Sequence, residues 1–211
     1  MRWGHTYVFK CPKCEHLLLR GSLLSANNIG ADLYSDGKQI GLMMRDFPEV
    51  TICEKCNTIF WLKNSELMVT VQEAEKKKLP VKNATDVRFL TIAEYFRALE
   101  LKISETTEDE IYLRQYIFWA FNDRLRNSEE LFNSEEEKIL WNSNIIRLIE
   151  ILDPENSDQK ILLADLHRTL GNFEKCMELI ESVENENLRW LKNGFRNECA
   201  KNNKNVFVIP W

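Results

Sequence analysis

The hydrophobic rhythm of the chain changes near residue 80. Beyond it, apolar side chains recur at i, i+3, i+4 and i+7 in four places: Phe89-Ile92-Ala93-Phe96, Leu113-Tyr116-Ile117-Ala120, Ile145-Leu148-Ile149-Leu152 and Phe173-Cys176-Met177-Ile180. This spacing lines one face of a helix. Residues that cap helices precede several of these runs: Thr107 before Glu108-Asp109-Glu110, Ser134 before three glutamates, and Ser157 before Asp158. The pattern predicts six or seven helices joined by short loops, hence antiparallel helix pairs. Before residue 80 the apolar residues fall in short runs instead. Residues 5–10, 17–19, 50–52 and 58–62 predict strands, and Asp36-Gly37 within residues 31–42 predicts a hairpin turn.

Glycine sharpens the division. Five of the seven lie in the first 41 residues, and the next 129 residues have none. Glycine serves turns and weakens helix interiors, so a turn-rich β module precedes the helices. The fold class expected is α+β, with a β module over residues 1–72, a linker over 73–84 around the charged run ending at Pro80, and an all-α domain over 85–211. The composition, 44% hydrophobic and 29% charged, excludes a disordered or collagen-like chain. No apolar run approaches the roughly 18–20 residues that span a bilayer, and Met1-Arg2-Trp3-Gly4-His5 lacks the apolar core of a secretory signal. A cytoplasmic protein with no membrane partner is expected. The net charge of -5 is uneven: residues 1–80 carry +2 and the remainder -7. An acidic half argues against wrapping nucleic acid, which needs clustered Lys and Arg.

The candidate chemistry lies in four of the six cysteines. Cys11-Pro12-Lys13-Cys14 and Cys53-Glu54-Lys55-Cys56 are two C-x-x-C pairs 38 residues apart. Two tight turns, each carrying two sulfurs, can face one another and close a tetrahedral shell around Zn2+. The competing reading is a redox pair, since Cys-Pro-Lys-Cys looks like a glutaredoxin-type site. Such folds use a single C-x-x-C that opens a helix, whereas here the motif is duplicated and followed by a short stretch ending at Gly21. A four-thiolate site leaves no position for water, so the metal is read as structural and Cys11, Cys14, Cys53 and Cys56 as its ligands. His16 is a minor candidate to replace a thiolate, and His5 a lesser one. Cys176, Cys199 and His167 sit on apolar helix faces and read as core.

The segment 161–183 resembles a tetratricopeptide repeat. Leu163-Ala164 takes the Leu-Gly position, Gly171 the inter-helix turn, Phe173 the aromatic, Cys176 the small residue and Ile180 the large apolar one. Ile146, Ile149 and Pro154 match the close of a preceding repeat whose first helix spans 110–126, with 128–137 as an insertion. The whole chain is similar to small bacterial proteins that combine an N-terminal zinc ribbon with tetratricopeptide-like helices. The shared residues are Cys11-Pro12-Lys13-Cys14, Tyr34-Ser35-Asp36-Gly37-Lys38, Cys53 and Cys56 leading to Phe60-Trp61-Leu62, Trp119-Ala120-Phe121-Asn122-Asp123, Leu152-Asp153-Pro154 and Leu170-Gly171. The resemblance implies architecture and carries no assigned activity.

The function expected is a non-enzymatic zinc-binding adaptor whose helices present a surface to a protein or peptide. On the repeat reading, Arg114, Gln115, Asn122, Lys160 and Arg168 are polar groups of the concave face. The alternative is nucleic-acid binding through the ribbon, with Arg2, Trp3, Lys10, Lys13, Arg20, Lys38 and Lys55 as contacts. No Ser-His-Asp signature, phosphate-binding loop or dinucleotide loop supports an enzyme.

Overall fold

The glycine-rich first third folds as strands and the rest as helices, an α+β architecture in the computed structural model, which describes residues 1–72 and 83–210. In chain order the elements are β1 (Arg2–Trp3), β2 (His5–Lys10), β3 (Leu17–Arg20), β4 (Leu23–Ser25), β5 (Asp32–Leu33), β6 (Gln39–Ile40), β7 (Val50–Ile52), β8 (Ile59–Trp61), β9 (Glu66–Gln72) and β10 (Thr85–Asp86). Six helices follow: α1 (Ile92–Glu100), α2 (Thr107–Arg126), α3 (Glu135–Ile151), α4 (Ser157–Leu170), α5 (Phe173–Glu181) and α6 (Arg189–Ala200). The chain forms two units, Met1–Ala31 with Gly41–Ile103, and Asp32–Ile40 with Ser104–Trp211.

This division departs from the expected 1–72, 73–84 and 85–211 in two ways. The predicted hairpin belongs to the helical unit, because Ser35 and Asp36 are bound by side chains of α2 and α4. Helix α1 belongs to the sheet unit, because the Arg88 N–H and carbonyl both bond the buried Thr51 hydroxyl, Trp61 Nε1 donates to the Ile103 carbonyl and Arg97 donates to the Asn57 carbonyl. Residues 73–82 of the expected linker lie outside the described residues, and Thr85–Asp86 form a strand.

In the sheet unit the strand order is β10-β3-β2-β9, with β2 antiparallel to both neighbours and β10 parallel to β3. Strand β2 alternates: Thr6 and Val8 are buried while His5 and Tyr7 are half-exposed, the period of two that a one-faced sheet requires. Strands β7 and β8 pair antiparallel, and all six of their residues are buried. Close approach explains Gly21: a Cβ there would lie 2.8 Å from the Phe47 ring.

The helical unit packs its helices in sequence. Leu163, Ala164, Cys176 and Ile180, expected between helices, are all buried, with Ile117, Phe118, Phe121, Ile145 and Phe195 in the same core. Helix caps match sequence expectation at Ser134 and shift by one residue elsewhere. Thr106 caps α2 in place of Thr107, and Asn156 caps α4 in place of Ser157; each side chain accepts from backbone N–H groups of the first turn. Gly171 ends α4 with φ +90°, the left-handed conformation that favours glycine. The expected insertion between α2 and α3 is a short loop braced by Arg124, whose guanidinium forks onto Glu137 at 2.6 and 2.8 Å. The C-terminal run 206–210 docks rather than dangles. Ile209 N donates to the Leu33 carbonyl, Ser35 N donates to the Phe207 carbonyl, and Tyr34 bridges Val208.

The Arg124 fork draws Glu137 down from the ordinary glutamate value of 4.5 to about 2. Its folded pKa is therefore depressed, so its contribution is complete above about pH 4.5 and is lost as pH falls toward 2. Unfolding followed by helical circular dichroism should show Glu137→Gln less stable than wild type at neutral pH, with the gap closing across that acidic window. A gap independent of pH would contradict the pairing.

Candidate functional site

Each C-x-x-C occupies the turn of a β-hairpin. The first links β2 to β3, where Lys10 pairs with Leu17, and the second links β7 to β8, where Ile52 pairs with Ile59. The two turns are built alike. Cys11 N donates to the His16 carbonyl and Cys53 N to the Thr58 carbonyl, while Glu15 N and Asn57 N donate back to the Cys11 and Cys53 carbonyls. The residue after the second cysteine takes positive φ in both, Glu15 at 60° and Asn57 at 56°. That conformation costs roughly 1 kcal/mol for a residue such as glutamate and less for asparagine.

The turns bring all four sulfurs within 4.8 Å of one another. Between the turns, Cys11 lies 3.6 Å from Cys56 and Cys14 lies 3.6 Å from Cys53. A tetrahedron with metal–sulfur bonds of about 2.3 Å has sulfur–sulfur edges of about 3.8 Å, so these edges match a four-thiolate shell closely. All four cysteines are free thiols. Among the described residues this is the one group of three or more His, Cys, Asp and Glu that could hold a metal ion, and His16 is outside it, its Nε2 3.1 Å from the Thr85 hydroxyl.

The surroundings act on the thiols in opposite directions. Burial pushes the Cys11 thiol up and Cys53 up to about 12, whereas the Thr58 hydroxyl draws Cys56 down to about 6. Four sulfurs this close cannot all ionise alone, but a bound divalent ion deprotonates its thiol ligands outright. Below them lies a small apolar core of Leu18, Phe60 and Leu62, with Phe9 and Val87 at its edge. The exposed Lys13 and Lys55 precede the second cysteine of each turn, and their charge offsets that of a tetrathiolate site.

The other expected site residues divide. Cys176 and Cys199 are buried with their sulfurs 3.6 Å apart, and burial raises both thiols, which leaves them unreactive. Of the candidate phosphate contacts, Lys10 pairs with Glu15 and Glu66, Arg20 with Glu49, and Lys38 with Asp123. Carboxylates thus occupy three of the cations that the nucleic-acid alternative needs.

The expected concave face is partly a buried interface, which corrects the reading of its residues as surface groups. Arg168 is fully buried and spends all five of its N–H groups: Nε and Nη2 on Asp165, Nη1 on the Asn203 and Asn205 carbonyls, and Nη2 on the Ser35 hydroxyl. Asn122 is also buried and donates to Asp36 at 2.8 Å. Arg114 joins Glu110 and Asn144, while Lys160 and Gln115 remain half-exposed. Sequence reasoning missed Ser35, Asp36 and Arg126 as a set. Asp36 accepts from Asn122, Arg126 and Lys38 N, and its carbonyl accepts from Trp119 Nε1 at 2.9 Å. The available signal was the Tyr34-Ser35-Asp36-Gly37-Lys38 and Trp119-Ala120-Phe121-Asn122-Asp123 runs, members of which meet here.

Compared with known protein families, curated proteins and solved structures, the chain matches none. Its functional reading therefore stands on the geometry above.

Burial pushes the Asp165 carboxyl up even with Arg168 opposing, so Asp165 depends on that partner. Arg168→Ala should cost about 3 kcal/mol or more in denaturant unfolding. A loss within about 0.5 kcal/mol, the scale of a surface change, would mean that Arg168 is not the buried hub described.

Proposed function

We propose that this protein is a non-enzymatic zinc-binding adaptor, in which a zinc-ribbon module is held by one structural Zn2+ and a helical array recognises protein or peptide. The observation that carries the reading is the convergence of Cys11, Cys14, Cys53 and Cys56, with 3.6 Å edges between two matching turns. Four thiolates favour zinc or an iron–sulfur centre. Zinc suits the 3.6 Å edges, which fit a single ion at the centre. The shell leaves no open position for water or substrate, so the metal's work is to join the two hairpin ends. The cytoplasmic setting proposed for the chain keeps such thiols reduced and available to metal.

The adaptor half of the reading draws on the helical unit. Its polar groups on α2 and α4 already grip a short hairpin of the chain, Asp32–Ile40, through backbone and side-chain hydrogen bonds. A helical array that holds one extended segment in this way has the donors to hold another.

Purified full-length protein should carry one zinc per chain by elemental analysis, and cobalt exchanged into it should give the thiolate charge-transfer bands of a tetrahedral site. Cys14→Ser/Cys56→Ser should abolish both. Its sheet unit should lose ordered structure, since such sites contribute roughly 10–16 kcal/mol, while the helical signal persists. A metal-free native protein, or a disulfide within either pair, would overturn the zinc reading.

A further inference from the structure

The hairpin β5–β6 reverses the usual division of labour in a core. Its buried residues are the polar Ser35 and Asp36, while Leu33 and Tyr34 are only half-buried and Ile40 is exposed. Its buried contacts to the helices are therefore directed hydrogen bonds and charge, the kind of group that fixes the orientation of a bound ligand. The bonds select a chemistry. Asn122 and Arg126 grip the Asp36 carboxylate, Trp119 takes the Asp36 carbonyl, and Arg168 and the Phe207 N–H reach the Ser35 hydroxyl. Gly37, at φ +81°, closes the turn that presents them.

Removing the hairpin would not strand charge in the groove. Arg126 keeps Asp123 at 2.7 Å, three residues away on the same helix. Arg168 keeps Asp165 at 2.7 Å and both tail carbonyls. Each guanidinium thus has a resident carboxylate, and the heavy penalty of an unpaired buried charge is avoided. Arg126 also retains a buried Nε with no partner among the described residues, a donor that the hairpin leaves unused. Beside the turn lies a cavity of about 340 Å3, walled by Ile111, Gln115, Leu152, Gln159, Leu162 and Leu191 among others. The hairpin therefore fills the groove incompletely, and a segment with a bulkier apolar residue next to its turn would fill it better.

We propose that residues 32–40 are a displaceable internal ligand, and that the groove of α2, α4 and α6 recognises a peptide segment presenting a Ser-Asp-Gly turn flanked by an apolar side chain. This rests on the adaptor reading and names the chemistry of its site. The tethered hairpin competes at an effective concentration near millimolar, so an external segment binds in proportion to the fraction of open groove.

Two measurements on the zinc-loaded full-length chain test this. In hydrogen exchange, the Gly37 and Lys38 amides should exchange at least about 10-fold faster than those of Leu162–Leu166, which marks an opening separate from global unfolding. In the second, a fluorescent peptide of residues 30–42 is titrated into wild type and into Lys38→Ala, which loses the partly exposed ion pair to Asp123. The peptide should bind Lys38→Ala about 10-fold more tightly than wild type, and a peptide carrying Asp36→Asn should bind neither. Exchange of hairpin and helices at one common rate, or no peptide binding to either protein, would overturn the proposal and make the hairpin a permanent part of the core. If the peptide binds as expected yet no cellular protein is captured, the adaptor reading fails while the groove's chemistry stands. A partner captured with the hairpin still closed overturns the groove proposal alone.

Discussion

A carboxylate sealed from water must be met by donors, and the helical unit is arranged around one such group. Asp36 lies wholly buried, and its oxygens are taken by Asn122, Arg126 and Lys38 N. Desolvating a lone carboxylate costs several kcal/mol, so the position is tenable only with every one of these partners present. The demand spreads outward. Arg126 must itself be oriented, which Asp123 and the Tyr34 ring do, the ring lying 4.5 Å beneath the guanidinium. Ser35 beside it must meet Arg168, which in turn fixes the polypeptide at Asn203 and Asn205 and so seats the C-terminal run. With the groove closed, these bonds seat two sequence-distant segments, the hairpin and the tail, against the helices. This is why the chain's units are not contiguous in sequence.

The sheet unit answers a different constraint with the same logic. The apolar cluster beneath the sulfurs is small, and burial raises two of the four converging thiols. A divalent ion held by these sulfurs would deprotonate them and add bonds between the two turns. The backbone of the two turns matches down to the positive φ at Glu15 and Asn57. Four thiols brought together in this way could close a shell around one metal ion.

How much of this was legible in the sequence depended on the range of the interaction. Local signals read well: the paired C-x-x-C turns, the helical spacing of Leu163, Ala164, Cys176 and Ile180, the cap at Ser134 and the stop at Gly171 all act within a few residues. The caps at Thr106 and Asn156 were off by one because adjacent capping residues compete and only backbone geometry decides between them. The long-range polar contacts were invisible. Arg168 has the look of a solvated residue near a helix end, and nothing local says that Asp165 and two carbonyls from a distant loop will bury it. Asp36-Gly37 read correctly as a turn, yet its carboxylate finds Arg126 across 90 residues. A charged residue in a turn is ordinarily solvated, so its burial could not be inferred from the turn alone.

Asp36 and Arg126 act as a specific pair, and a double-mutant cycle tests that most directly. Unfolding free energies of wild type, Asp36→Asn, Arg126→Met and the double variant isolate the coupling between the two side chains. Close, desolvated charge pairs couple by about 1.5 kcal/mol or more, and that is the result expected here. A coupling within about 0.5 kcal/mol of zero would mean that the two substitutions act independently, and the buried carboxylate would not be the anchor of the helical unit.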